Sequence, residues 1–285
     1  MGFHDAHATY VGSLQLRTLD LERAVQFYRQ VVGLKTLEQD AGSATLSADG
    51  KTPLLSLVQP AGVIPKPPGT TGLYHFALLL PERADLALFI RHLVDKVVRF
   101  GASNHLVSEA VYFSDPDGNG IEVYADTDPD TWSWRQSGVA MDTLPLDFQD
   151  LMKAAHPMKQ AWDGLPGSTV IGHIHLQVSE LLPAEAFYRK GLGFEVVSRY
   201  GPGALFMSTA KYHHHIALNT WLGVGAPRPP KNSAGLDHFT LVFPDQQLLA
   251  EAVERLKELG TPIDAAGSHA MVEDPSGNAI VLRNA

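Results

Sequence analysis

The chain has 285 residues, of which 45% are hydrophobic, and its formal net charge is −9. A chain of this size and composition can bury one large core or two ordinary ones. Acidic and basic residues are mixed along the length, and no basic patch with interleaved aromatic residues is present. Nucleic acid is therefore not an expected partner.

The chain contains no cysteine, which excludes disulfides, thiolate metal sites and a cysteine nucleophile. Its 13 histidines are then the natural metal ligands. No apolar run has the length of a signal peptide or of a membrane-spanning helix. We expect a soluble, cytoplasmic protein without a membrane partner. A homo-oligomer is compatible with the sequence, which does not determine the oligomeric state.

The first elements form a strand-helix-strand pattern. Apolar and polar residues alternate over Tyr10–Arg17, which predicts a half-buried strand. Asp20 has N-cap character, and apolar residues at helical spacing continue up to Gly33, so a helix is expected there. Short strands are predicted at 35–39, 44–47 and 54–58. Together they make one β-α-β-β-β unit.

The same pattern occurs four times. The helix ending Phe27-Tyr28 returns as Phe187-Tyr188. A second and a fourth unit open with similar strands near 73–81 and 236–244, followed by helices near 83–100 and 246–259. They close with related turns, Asp-Pro-Asp-Gly-Asn and Asp-Pro-Ser-Gly-Asn. Because such repeats are equivalent positions of one structural unit, they can be compared with one another.

The predicted fold class is α+β, with four β-α-β-β-β units in two related domains. We assign residues 8–126 to an N-terminal domain (units one and two) and residues 169–285 to a C-terminal domain (units three and four). Residues 127–168 form a linker with a short helix near 146–155.

The four units, the Phe-Tyr helix endings and the Asp-Pro-x-Gly-Asn turns resemble the vicinal oxygen chelate superfamily. That superfamily includes glyoxalase I, fosfomycin and bleomycin resistance proteins, and extradiol dioxygenases. The resemblance covers nearly all of the chain outside the linker, and it implies glyoxalase-like domains of paired units. It says little about the reaction, because one fold supports many chemistries.

The resemblance implies metal ligands on the first and last strands of paired units. The corresponding positions in this chain are Ser13, His75, His173 and His238 on first strands, and Glu122 and Val281 on last strands. Only the crosswise pairing of units two and three supplies a complete set, which is His75, Glu122 and His173. His175 is expected on the same strand face as His173, and it is the rival ligand if the register differs.

Two imidazoles and one carboxylate suit a non-haem Fe(II) oxygenase, and Mn(II) is the alternative ion. Glyoxalase-type sites use a further carboxylate or amide ligand from the other unit. The segment 216–221 offers no acid at that place, which argues against a glyoxalase.

Further residues resemble the type I extradiol dioxygenases, and most of all the Bacillus-type catechol 2,3-dioxygenases. The shared features are Asp-Pro-Asp-Gly-Asn-Gly-Ile-Glu, which ends at Glu122, and a triple histidine at 213–215. The resemblance implies that His214 is the acid/base, that Tyr112 hydrogen-bonds a substrate oxygen and that His105 is a second pocket histidine. The interval from His105 to Tyr112 is shorter than usual in that family.

The implied reaction opens catechol with O2 to 2-hydroxymuconic semialdehyde. Two alternatives stay open at this point. The protein could be a glyoxalase-like metal-dependent isomerase or lyase, or a non-catalytic small-molecule-binding (resistance) protein. The triple histidine could also be a surface cluster.

Overall fold

The computed structural model describes residues 2–136, 138–155, 162–266 and 269–285. Within these ranges no helix is both long enough and apolar enough to cross a bilayer. The elements of the first half are β1 (Tyr10–Arg17), α1 (Leu21–Phe27), β2 (Lys35–Gln39), β3 (Ser43–Ser47), β4 (Leu55–Val58), β5 (Gly72–Leu80), α2 (Arg83–Asp95), β6 (Gly101–Asn104), β7 (Ser108–Ser114) and β8 (Gly120–Asp126).

A short two-stranded ribbon and one helix follow, and then the pattern of the first half returns. These elements are β9 (Trp134–Arg135), β10 (Gly138–Val139), α3 (Phe148–Ala155), β11 (Val170–Gln177), α4 (Leu181–Ala186), β12 (Glu195–Tyr200), β13 (Ala204–Ser208), β14 (Ile216–Asn219), β15 (Gly235–Phe243), α5 (Gln246–Glu258), β16 (Ile263–Ala266), β17 (His269–Glu273) and β18 (Ala279–Asn284).

The units pair crosswise into two eight-stranded sheets, as the donor positions predict. Units two and three form one sheet, in which β5 lies antiparallel to β11 at the centre. Units one and four form the other, with β1 antiparallel to β15. We call them sheet 2/3 and sheet 1/4. Each half of the chain contributes one unit to each sheet, and the predicted domain bounds remain a prediction.

The predicted helix after β1 is confirmed, and its sequence explains its ends. The Asp20 side chain accepts a hydrogen bond from the backbone N–H of Arg23 at 3.0 Å, which caps α1. The helix continues as one π-helical turn, Tyr28–Val32, and ends at Gly33, whose φ is 91°. A left-handed backbone of this kind favours glycine.

The helix predicted near 83–100 is too long. It ends at Asp95, because Val97 has a φ of 57° and turns the chain into β6. This short strand was not predicted. Its sequence, Gly-Ala-Ser-Asn, lacks the branched and aromatic residues that favour strands.

The repeated motifs join the two units of each half. The buried Tyr28 hydroxyl donates to Asp115 Oδ2 at 2.8 Å. Tyr188 makes the equivalent bond to Asp274 Oδ2 at 3.2 Å. In both turns, the other carboxylate oxygen accepts backbone N–H groups of its own loop. The Phe-Tyr and Asp-Pro-x-Gly-Asn motifs therefore connect a helix end in one unit to a strand turn in the next.

Strand alternation gives each sheet two different faces. In β5, Phe76 and Leu78 enter the hydrophobic core, which the two sheets share with the helices. His75 and Ala77 lie on the opposite face, which we call the cavity face. The cavity face of sheet 2/3 carries the polar residues singled out in the sequence.

Candidate metal centre

Three neighbouring strands of sheet 2/3 bring His75, Glu122 and His173 together. They lie on β5, β8 and β11, the central strands of the sheet. Ala77 of β5 is opposite Glu122 on one side and opposite His173 on the other. Because its side chain is only a methyl group, the carboxylate and the imidazole can converge over it.

The distances suit a shared ion. Glu122 Oε2 lies 3.1 Å from Nε2 of His75 and 3.1 Å from Nε2 of His173. The three donor groups offer atoms that all lie within 4.8 Å of one another. Two donors about 2.1 Å from one ion, at right angles, are about 3 Å apart, so the arrangement fits adjacent coordination positions.

Burial and the contacts among these groups set their charges. It lowers the pKa of His173 to about 4, so its imidazole is neutral at pH 7. Burial alone would raise the pKa of Glu122, but the His173 and His75 imidazoles outweigh it and hold that pKa well below its usual range. A neutral imidazole and an ionised carboxylate are the forms that bind metal ions.

Gly172, next to His173, makes room for the Tyr124 side chain. The register of β11 shifts between Ile171 and His173, at Gly172. A Cβ at Gly172 would overlap the hydroxyl of Tyr124, which donates or accepts a 2.6 Å bond with Tyr212. The bulge thus lets β11 pass closely over the buried Tyr124 side chain of β8.

His175, the rival ligand, lies outside this group. It is buried, but its Nε2 is 2.9 Å from the side-chain nitrogen of Asn219. Within the described part of the chain, the set of residues able to hold a metal comprises His75, Glu122 and His173 alone.

The triple histidine precedes β14 and is buried, so the surface-cluster interpretation is wrong. The ring centroid of His214 lies 4.0 Å from that of His173. Burial, followed by the neighbouring imidazoles, holds the pKa of His214 well below its usual value. His214 is therefore a neutral base beside one candidate ligand.

The neighbours of His214 determine which of its ring nitrogens carries the proton. Asp126 Oδ1 can only accept, so His213 donates to it from Nε2, at 2.8 Å. With this single proton on His213, its Nδ1 carries the lone pair and accepts from His214 Nδ1, also at 2.8 Å. In this tautomer the lone pair of His214 is on Nε2.

Tyr112 and His105 form a second pair beside His75. The ring of Tyr112 is 5.7 Å from that of His75. His105 Nδ1 donates to the carbonyl of Asp142 at 2.8 Å, so its Nε2 accepts from the Tyr112 hydroxyl at 2.6 Å. Burial and the charge of Glu122 raise the pKa of Tyr112 well above 10. Tyr112 keeps its proton and has oxygen lone pairs left to accept a further bond.

One cavity of about 800 Å³ opens on this face. All six residues predicted from the sequence line it, namely His75, His105, Tyr112, Glu122, His173 and His214. His105 therefore does lie in the pocket, although its spacing from Tyr112 departs from the family pattern.

Comparison with known proteins decides the family. The model of the Glyoxalase/Bleomycin resistance protein/Dioxygenase superfamily matches residues 10–123 and 170–282. The chain belongs to this superfamily. Catechol-2,3-dioxygenase of Bacillus subtilis (strain 168) is 43% identical over 276 residues, which cover 96% of each protein. Within the superfamily, this relationship identifies the chain as an enzyme of the extradiol dioxygenase type.

Solved structures of the superfamily show the same fold. The crystal structure of a Bacillus subtilis subsp. subtilis str. 168 protein aligns with a TM-score of 0.66 and 15% identity, covering 97% of this chain and 85% of that one. Glyoxalase I from Zea mays aligns with a TM-score of 0.59 and 16% identity, covering 97% and 92%. At these identities the likeness concerns architecture alone.

Sequence reasoning missed Asp126 and His213. A usable signal was present for Asp126, because Glu122, Tyr124 and Asp126 alternate along β8 and share one face. In a regular strand, alternation would make His213 face away from His214. The segment is instead irregular before β14, which lets the two rings bond to each other.

Among the described residues, the equivalent face of sheet 1/4 has no such donor set. Ser13 stands where sheet 2/3 has His173, and its hydroxyl donates to Thr240 Oγ1 at 3.3 Å. Val281 stands in the place of Glu122. His238 matches His75, but its Nδ1 bonds Asp237, which also forms an ion pair with Arg17.

Proposed function

We propose that this extradiol-type enzyme opens catechol with O2 beside its two hydroxyl groups, giving 2-hydroxymuconic semialdehyde. Both oxygen atoms enter the product, so the reaction needs no other oxidant or reductant. The observation that carries the proposal is the convergence of His75, Glu122 and His173 next to His214 and Tyr112 in one cavity. The family relationship to catechol-2,3-dioxygenase supports it.

We assign the metal to Nε2 of His75, Nε2 of His173 and the Glu122 carboxylate, and we propose Fe(II), with Mn(II) as the alternative. A facial set of two histidines and one carboxylate leaves open positions and is typical of non-haem Fe(II) oxygenases. The bound ion would make the catechol hydroxyls more acidic and would provide a place for O2. No acid on β14 adds a further ligand.

His214 is the general base in this proposal. Its Nε2 lone pair follows from the bonds of His213 and Asp126, and burial keeps its imidazole neutral, so that this lone pair is free. A base with a defined lone pair beside the reacting atoms supports general acid–base catalysis. The same nitrogen would return the proton later in the reaction.

Tyr112 would hold the other end of the substrate. Its hydroxyl donates its hydrogen bond to His105, so its oxygen is free to accept a bond from a substrate hydroxyl. His214 lies beside His173 and Tyr112 beside His75, so the two groups flank the candidate ligands from different sides. His214 and Tyr112 would therefore each contact a different catechol oxygen.

The test is anaerobic loading with ferrous ion, followed by mixing with catechol and air. We expect O2 consumption equal to catechol loss and a yellow product. Metal binding without O2 uptake would favour an isomerase or lyase, and absence of metal binding would favour a non-catalytic binding protein. Loading with Mn(II) in parallel compares the two ions. A cytoplasmic location and a homo-oligomer remain predictions.

A further inference from the structure

The residues before β1 pack against the sheet to which β1 does not belong. β1 is a strand of sheet 1/4, but Thr9, which directly precedes it, is hydrogen-bonded to Thr209 of unit three. The backbone N–H of Thr9 donates to Thr209 Oγ1 at 3.0 Å, and its carbonyl accepts from the same hydroxyl at 2.9 Å. Phe3 and His4 also contact unit three, and we call these two residues the Phe3-His4 arm.

The Phe3-His4 arm covers fully buried side chains. The ring centroid of Tyr212 lies 4.9 Å from that of Phe3 and 4.8 Å from that of His4. Tyr212 and His215 have exposed fractions of 0%, whereas both residues of the arm are partly exposed. The arm is therefore an outer layer between solvent and the buried side chains that lie next to His214 in the sequence.

One hydrogen bond connects the arm to the strand that carries a candidate ligand. His4 Nε2 donates to the carbonyl of Gly172 at 2.8 Å. Gly172 lies at the bulge of β11 and directly precedes His173. A bulge leaves a residue unpaired in the strand ladder, so its backbone groups need partners from elsewhere. His4 supplies such a partner and holds the backbone from which the His173 imidazole projects.

A second hydrogen bond connects the arm to the triple histidine. His215 Nε2 donates to the carbonyl of Phe3 at 2.8 Å, and its Nδ1 accepts from the backbone N–H of Thr209 at 3.3 Å. Between Thr209 and His215 the backbone passes through two non-glycine residues with φ angles of 54° and 59°. Such strained conformations persist only where the surroundings hold them. His215 therefore closes an irregular loop, which carries His214, onto the arm.

Aromatic packing holds the acceptor of this second bond in place. The ring of Phe3 stacks on that of Trp132 from the linker, with centroids 5.7 Å apart and an angle of 22° between the planes. Tyr212 contacts the same ring, and both partners are buried. The Phe3 carbonyl is thus fixed by its own side chain, which packs between two parts of sheet 2/3 and the linker.

Resting on the proposed function, we propose that Phe3 and His4 are positioning residues of the active site. His4 holds the backbone of the candidate ligand His173, and the Phe3 carbonyl holds the loop that places His214 beside that ligand. Both residues belong to the described chain and lie outside the cavity lining, so they act through other residues and do not touch the substrate. Groups that support metal ligands from outside typically change metal affinity or activity by about 10–100-fold.

Metal affinity distinguishes positioning by His4 from a merely structural role. His4→Leu removes the donor to Gly172, whereas His4→Gln keeps an N–H near the place of Nε2. In anaerobic titrations of metal-free protein with Fe(II), we expect His4→Leu to weaken binding by about ten-fold and His4→Gln to restore most of it. The matched control is His7→Leu, at an exposed position of the same segment, which should bind as the wild type does. Wild-type affinity in His4→Leu, or equal weakening in His7→Leu, would overturn the role of His4.

The kinetics of ring cleavage test the role of Phe3. Phe3→Ala removes the ring that packs on Trp132 and Tyr212, so the carbonyl is no longer held under His215. We expect kcat for catechol to fall by about ten-fold with KM unchanged, because the arm lies outside the cavity lining. Phe3→Leu, which keeps an apolar side chain, should lose less. An unchanged kcat, or a change in KM alone, would overturn the role of Phe3.

Nitrogen NMR of histidine-labelled, metal-free protein depends on neither metal binding nor turnover. The resonances of His173 should shift in His4→Leu and those of His214 in Phe3→Ala, whereas His7→Leu should leave both unchanged. If the protein binds no iron or does not cleave catechol but these shifts are found, the proposed reaction fails and the positioning role stands. A lower Tm with unchanged resonances would show that the arm only stabilises the fold, and would overturn the proposal.

Discussion

Sheet 2/3 and sheet 1/4 are built from the same unit in the same strand order, yet they differ on their cavity faces. Sheet 2/3 gathers two imidazoles and a carboxylate around Ala77. Sheet 1/4 has a hydroxyl, a valine and a histidine already bonded to Asp237 at the equivalent positions. The core faces of both sheets remain apolar. The core-facing residues of both sheets therefore maintain the fold, whereas the alternate residues on the cavity faces determine the chemistry.

The largest expected effect comes from removing the carboxylate of sheet 2/3. Glu122→Gln keeps the shape of the side chain but loses its charge, so metal affinity should fall and ring cleavage should drop by about 10³ or more. Metal content and O2 uptake measure the two losses. His238→Ala on sheet 1/4 is the matched control and should keep both. Full activity in Glu122→Gln would reject the assignment.

His214→Gln should separate catalysis from metal binding. The variant removes the proposed base but none of the three candidate ligands, so kcat should fall by about 10²–10⁴ while the metal content stays unchanged. Stopped-flow absorbance of the product, with metal analysis of the same sample, makes the comparison. Loss of metal together with kcat would instead place His214 among the ligands.

Asp126→Ala should change which ring nitrogen of His214 carries the proton. Without its acceptor, His213 no longer has to present a lone pair to His214, and kcat should fall by about ten- to a hundred-fold. Asp126→Asn keeps an oxygen acceptor and should restore most of the activity.

Nitrogen NMR of histidine-labelled, metal-free protein gives an independent readout of this effect. His214 should carry its proton on Nδ1 in the wild type and in Asp126→Asn, but not uniformly in Asp126→Ala. An unchanged tautomer in Asp126→Ala would contradict the role of Asp126.

The donor set of sheet 2/3 can also be introduced on sheet 1/4. The double substitution Ser13→His and Val281→Glu would place a set equivalent to His75, Glu122 and His173 on sheet 1/4, since His238 is already present. Metal titration should rise from about one to about two equivalents if backbone equivalence is sufficient. An unchanged stoichiometry would show that Asp237 and Arg17 prevent the site from forming.

The smallest expected effect concerns pH and stability. Burial lowers the pKa of His4, whose Nε2 donates to the carbonyl of Gly172 at 2.8 Å. Below about pH 6.5 the unfolded chain takes up a proton that the folded protein resists, so the free energy of unfolding should fall as the pH falls. Its slope should be at most about 1.4 kcal/mol per pH unit for this one group.

Urea denaturation between pH 8 and pH 5 measures this slope. His4→Gln should reduce it, whereas His269→Gln, at an exposed position of β17, should leave it unchanged. An equal reduction by both variants would contradict the assignment of the slope to the half-buried His4.

The sequence predicted the fold well because alternation, capping and repeats are local signals. The strand Tyr10–Arg17 and the ends of α1 follow from these rules. The crosswise pairing could also be predicted, since only units two and three combine His75, Glu122 and His173. Comparing the repeats made this pairing predictable, although the three residues are far apart in the sequence.

Other features depended on contacts that no local pattern contains. The bonds of His213 to Asp126 and His214 join segments far apart in the chain, and they require an irregular backbone before β14. The sequence also left the register of β11 undetermined, because His173 and His175 lie on the same strand face and alternation does not distinguish them. The bond from Asn219 to His175 separates their roles.

An anomalous difference map at the iron edge, from crystals of anaerobically loaded protein, shows directly whether His75, Glu122 and His173 hold the metal. We expect one strong peak within bonding distance of His75, Glu122 and His173 and none on the cavity face of sheet 1/4. A peak bound through His175 or His214, or on sheet 1/4 instead, would contradict it.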